Sequence, residues 1–156
     1  MDRFPGGTVE FQRTRYGYAL KIDSGEEIIA TLAAFAEAEG VRAGIISGLG
    51  AASDPELGYF VRRTQQYLRR TFPGEWEIGA LTGNFSELDG KPFPHCHVVI
   101  GGPDFTAYTG HLFRGAVTVT CEAQIVTDPG LLRRVRRQDL GFNPLELGRP
   151  RPASTL

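Results

Sequence analysis

Apolar and polar positions alternate from residue 15 to residue 23 (RYGYALKID), the period of a half-buried strand. The period then changes. From Ser24 to Gly40 the residues Ile28, Ile29, Leu32, Ala33, Phe35 and Ala36 recur at helical spacing and predict the main helix of the chain. Ser24 with Glu27 three residues later forms a capping-box signature, Glu26 and Glu27 suit the positive end of the helix dipole, and Gly40 suits the position after the last turn. VRAGIISGLG (41–50) predicts an apolar strand running into a tight glycine turn, and Tyr59, Val61, Tyr67, Leu68 and Phe72 fit two further strands. EWEIGALTGNF, PHCHVVI, FTAYTGHLF and AVTVTCEAQIV predict four more, separated by turns at DG, GGPD and RG. After Asp128 as cap and Pro129 at the first position, LLRRVRRQ fits a short helix with Leu131, Leu132 and Val135 on one side.

One early helix followed by strands at hairpin spacing predicts an α+β fold: a single, mostly antiparallel sheet of about seven strands packed with that helix. The length of 156 residues suits one domain, expected over residues 1–147, and 148–156 (GRPRPASTL) reads as a disordered tail. A sheet with one substantial helix leaves edges and a face to cover, which points to a homo-oligomer.

The formal net charge of -1 excludes a general polycation. The charge is unevenly spread, however. From Leu131 onward the segment carries a net +4 through Arg133, Arg134, Arg136, Arg137, Arg149 and Arg151. That segment is the candidate nucleic-acid contact, and a solvated helix face with a loose tail is the plainer reading. Two cysteines, no apolar leader after MDRFPGG and no run long enough to span a membrane predict a cytoplasmic protein without a membrane partner.

All three histidines fall between residues 95 and 111. In a strand, His95 and His97 project from one face, about 6.5 to 7 Å apart. A hairpin across GGPDF that sets His95 directly opposite His111 makes His97 the diagonal neighbour and brings three imidazoles to one patch; a register shifted by one residue sends His111 to the other side. Three neutral imidazoles with an open fourth position form the ligand set of a catalytic-type zinc site or of another divalent metal. The plainer alternative for HxH is a pair of hydrogen-bonding surface histidines. If the ladder continues through a two-residue turn at Arg114 and Gly115, Thr118, Thr120 and Glu122 share the face of His111, which makes Glu122 a candidate base. Glu77 is the second candidate base. Cys96 and Cys121 have the opposite parity and are expected in the core, about 9 to 10 Å apart and too far for a disulfide.

SGLGAAS mimics a dinucleotide fingerprint, but Asp54 and Pro55 intervene before any helix N-terminus, so a glycine turn is the expectation there. GRPRP echoes the core of an AT-hook, with Leu147 where the first arginine belongs.

With ISGLGAASDPELGYF, FPGEWEIGALTGNFS, DGKPFPHCHVVI, YTGHL, GAVTVTCEAQIV and RRQDLGFNPLEL laid out, the chain resembles the plants-and-prokaryotes-conserved (PPC) domain family over about residues 16–147. The resemblance implies a compact α+β domain that assembles as a homotrimer. In plant members the domain follows AT-hooks and serves self-association in nuclear DNA-binding proteins, whereas some stand-alone prokaryotic members resemble metal-binding proteins. The family's metal-type positions fall on His95, His97 and His111. Thr109 departs from the usual GGHL, and no full AT-hook is present. The expected function is therefore a trimeric, metal-binding, regulatory or ligand-sensing module. A metal-dependent enzyme on a small substrate and direct DNA binding through Arg133, Arg134, Arg136 and Arg137 are the alternatives.

Overall fold

In the computed structural model, residues 2–3 and 9–148 are described, the first pair by backbone alone. The proposed tail, with its AT-hook echo, lies outside the described residues apart from Gly148. Two short strands, β1 (Asp2–Arg3) and β2 (Glu10–Thr14), lead to β3 (Gly17–Asp23) and the helix α1 (Ile28–Glu39). Then come β4 (Gly44–Val61), β5 (Gln66–Thr71), β6 (Glu75–Leu88), β7 (Lys91–Gly101), β8 (Ala107–Thr127), β9 (Arg133–Arg134) and β10 (Leu145–Glu146). One sheet holds them all, and its pairings are antiparallel apart from a single parallel contact between Glu87 and Arg133. The expected α+β fold with one helix and a largely antiparallel sheet is what forms, but the sheet has ten strands rather than about seven, three of them only two residues long.

The four long strands close on themselves. β4 pairs with β6, β6 with β7, β7 with β8, and β8 returns to β4, so the sheet curls around an inner face instead of lying flat. Along β7 the alternation decides which side is inside: Cys96, Val98 and Ile100 are buried while His95, His97 and Val99 turn outward. Ile22, Ile46, Leu81, Phe85, Leu112, Val117 and Ile125 complete the interior. The helix packs against β7 and β8, with Ile28, Leu32, Phe35 and Ala36 buried. Phe35 stands edge-on to Phe11 and Tyr18, at centroid distances of 5.4 and 5.0 Å.

Local chemistry departs from several expectations. The helix begins three residues later than a Ser24 cap implies: Glu27 is itself the N-cap, its carboxylate accepting from the backbone N–H groups of Ile29 and Ala30. Gly40 closes the helix in the left-handed conformation as expected, φ 68°, with its N–H donating to the Ala36 carbonyl. No turn forms at SGLG. Gly48 and Gly50 lie inside β4, where an added Cβ would come within 2.6 Å of the Glu122 carbonyl oxygen and 2.2 Å of the Thr120 one. These glycines let two strands approach. Arg114 and Gly115 do not turn either: β8 continues through them as one 21-residue strand, with register shifts against β4 there. The helix expected after Pro129 is absent, since Asp128 accepts from the Gly130 N–H in a turn and the chain then runs extended along β6. Both cysteines are buried and free, as their parity implied.

Candidate metal centre and its cavity

The outward face of β7 meets the outward face of β8 at the three histidines. His97 is directly opposite His111, and His95 is the diagonal neighbour. This is two positions away from the register expected from the loop, and because side chains repeat every second residue the histidines still share one face. Ring centroids lie 5.3 Å apart for His95 and His97, 4.9 Å for His95 and His111, and 5.6 Å for His97 and His111. One ligand nitrogen from each ring falls within 4.8 Å of the others. Tetrahedral zinc at about 2.0–2.1 Å places its nitrogens about 3.3 Å apart, so the three rings would have to draw closer to hold one.

The electrostatics favour the neutral form of His95 and His111. Burial, then the positive charge of Arg134 and the neighbouring histidines, lowers His95 to about 4. His111 falls to about 4 through burial, with His97, Arg134 and Arg69 adding to it. Neutral imidazole is the form that ligates metals. The Nδ1 atom of His111 is buried and has no hydrogen-bond partner among the described residues, so a ring nitrogen already removed from water is left unsatisfied by them. A borderline divalent ion suits this donor set.

Arg134 was expected on the face of a basic helix and is instead buried beside the triad, 8% exposed. Its Nε donates to the Ser86 hydroxyl at 2.9 Å and its Nη1 to the Asn143 carbonyl at 2.8 Å. Its Nη2 donates to the Asn84 side-chain oxygen and to His95 Nδ1, both at 2.9 Å. A guanidinium only donates, so His95 Nδ1 accepts and the proton of the neutral ring sits on Nε2. Ligation through His95 therefore draws on the lone pair that Arg134 now holds, or shifts the Nε2 proton.

A cavity of about 180 Å³ opens beside the rings, lined by His95, His111, Arg134 and the aromatic side chains of Tyr67, Phe93, Phe113 and Phe142. Gly141, at φ 73°, lets the returning C-terminal loop close on the hairpin between β4 and β5: a Cβ there would sit 2.1 Å from the Gln65 carbonyl oxygen. Sequence reasoning missed Arg134, Asn84, Tyr67 and Phe142 as parts of this site. The available signal was period: as a strand, Leu132 and Arg134 share a face that Arg133 does not.

Other candidates are placed elsewhere. Glu122 lies eleven residues beyond His111 on β8, between Lys21 of β3 and Leu49 of β4, where it lines a separate groove. Glu77 pairs with Gly101 and Ala51 and lines a third cavity with Trp76 and Phe105. Neither carboxylate reaches the triad's cavity. Arg133, Arg136 and Arg137 are exposed, and each faces a carboxylate: Glu87 at 3.9 Å, Asp89 at 2.6 Å and Asp139 at 2.6 Å.

Fold and site together define a curled antiparallel sheet carrying a three-histidine cluster on its outer face. The sequence model of the Plants and Prokaryotes Conserved (PCC, also PPC) domain matches residues 11–128, and the chain belongs to that family. Among solved structures it is similar to a candidate DNA-binding protein of Bacteroides thetaiotaomicron, at 28% identity and TM-score 0.86 over 90% of this chain and 98% of that one. It is also similar to a plant- and prokaryote-conserved protein of Pyrococcus horikoshii, at 29% identity and TM-score 0.79 over 92% and 98% of the two chains. A metal-containing protein of Archaeoglobus fulgidus matches at 30% identity and TM-score 0.79, over 90% and 99%. No curated protein matches.

Proposed function

We propose that the protein is a homotrimeric PPC-domain module that holds one divalent transition-metal ion, zinc by preference, on His95, His97 and His111, and that it works as a regulatory or ligand-sensing unit in the cytoplasm. The observation that carries this reading is the convergence of three ligand nitrogens within 4.8 Å from two neighbouring strands. Support also comes from the Archaeoglobus relative, which is metal-containing. Self-association is supported by exposed apolar side chains on the sheet's outer face, where Ile45 and Val126 are cross-strand partners and Leu49 and Val119 are also exposed. No helix of the described residues is long and apolar enough to cross a membrane.

Metal analysis of protein purified without chelators tests the site. We expect close to one metal ion per chain, and loss of most of it in His97→Ala while the fold, read by circular dichroism, is retained. Equal metal content in both proteins would reject the triad as the ligand set.

A metal-dependent enzyme is the second reading, favoured by the cavity that opens beside the rings. With Glu77 and Glu122 outside that cavity, its base would be a histidine or a metal-bound water. Association with DNA, for which the Bacteroides relative is the support, predicts duplex affinity that falls steeply with salt. Arg133, Arg136 and Arg137 would have to exchange their carboxylate partners for phosphates.

A further inference from the structure

Arg134 is a buried cation to which the described residues offer only neutral acceptors: the Ser86 hydroxyl, the Asn143 carbonyl, the Asn84 amide oxygen and a ring nitrogen of His95. No carboxylate of the described residues makes an ion pair with it, whereas Arg133, Arg136 and Arg137 each have one. A guanidinium has five N–H donors, so these contacts leave one on Nη1, on a side chain that lines the cavity. Burying a charge is costly unless an opposite charge compensates it, and here the described chain supplies none.

The rest of the cavity limits what could. Its walls are the rings of Tyr67, Phe93, Phe113 and Phe142, which favour an apolar or aromatic body. Its volume of about 180 Å³ is close to the roughly 150 Å³ that accommodates benzene and well under the roughly 300 Å³ at which drug-sized pockets begin. One ring, or an aliphatic body of similar bulk, fits. Aromatic walls suit an organic acid better than inorganic phosphate, which has no apolar part to place against them.

We propose that this cavity binds a small organic monocarboxylate, its carboxylate on Arg134 and its apolar body among Phe93, Phe113 and Phe142. The inference rests on the metal-site reading in that His95 and His111 wall both sites, and it adds the ligand class that the module senses or acts on.

Benzoate and its neutral counterpart benzyl alcohol are the probes, titrated calorimetrically into the full chain after chelator treatment and again after zinc is restored, with zinc content measured on the same samples. Benzoate is expected to bind in both states and benzyl alcohol roughly tenfold or more weakly, with Arg134→Gln lowering benzoate affinity by a similar factor. The comparison of the two probes on the unaltered protein stands even if that variant does not fold. Equal affinity for both probes, no benzoate binding at millimolar concentration, or benzoate binding that survives Arg134→Gln in the folded variant would each overturn the proposal. So would binding of inorganic phosphate without benzoate. Zinc taken up again without benzoate binding removes the carboxylate site alone, and benzoate bound by a chain that takes up no zinc when zinc is restored removes the metal reading alone.

Discussion

His95 and His111 sit half-buried at about 4, against about 6.5 for an exposed imidazole. Between those values the unfolded chain binds more protons than the folded one, so stability rises with pH across the window. The stabilisation from the two neutral rings is therefore complete above about pH 6.5 and is lost as the pH falls towards 4. Thermal denaturation of metal-free protein should show a falling Tm from pH 7 to 4.5, with a shallower fall in His95→Gln and His111→Gln; a slope identical to the unaltered protein in both variants would contradict this account. The thiols make the complementary case. Burial pushes Cys96 up to about 12 and Cys121 up to about 11, so iodoacetamide at pH 8 should leave both intact in the native protein and alkylate both in denaturant. Parity was legible at this scale: HxH outward, Cys96 inward and His111 on the histidine face all follow from a period of two. Which rung His111 occupies was not, because it depends on how Gly102–Thr106 folds, with Phe105 at φ 61° and Thr106 held by Asp104.

Glu27 joins two elements. Its Oε1 accepts from Ile29 and from Gly115 of β8, at 3.2 and 3.0 Å, and its Oε2 accepts from Ala30, so one carboxylate both starts the helix and fixes it to the sheet. Glu27→Ala should cost about 1–2 kcal/mol in a urea melt, with Glu27→Gln recovering part of it. Phe35→Ala, which empties the contact with Phe11 and Tyr18, should cost about 3–5 kcal/mol by the same measurement. The helix interior and its Gly40 terminus were readable from spacing, and so were the positions of β6 and β7. The two longest strands were each divided in the sequence reading, because glycine marks both a turn and a close strand approach, and only the neighbouring strand tells them apart. The same limit explains the lost C-terminal helix: LLRRV satisfies either period over so short a run, and pairing with Glu87 and with Leu145–Glu146 decides for the strand.

For the whole molecule, exposed apolar side chains on the outer face, Ile45, Leu49 and Val126 among them, are what a single chain leaves in water. Light scattering should give a mass near three chains against 17.1 kDa for one, and Val126→Glu, beside Ile45, should shift it towards one. A monomeric mass for the unaltered protein would remove the trimer. The family match ends at residue 128, whereas Arg134, Phe142 and Asn143 come later in the chain. During synthesis, then, the imidazoles emerge before the guanidinium that holds His95. An ion taken up on the proposed triad before Arg134 docks against His95 would meet less repulsion than one taken up afterwards.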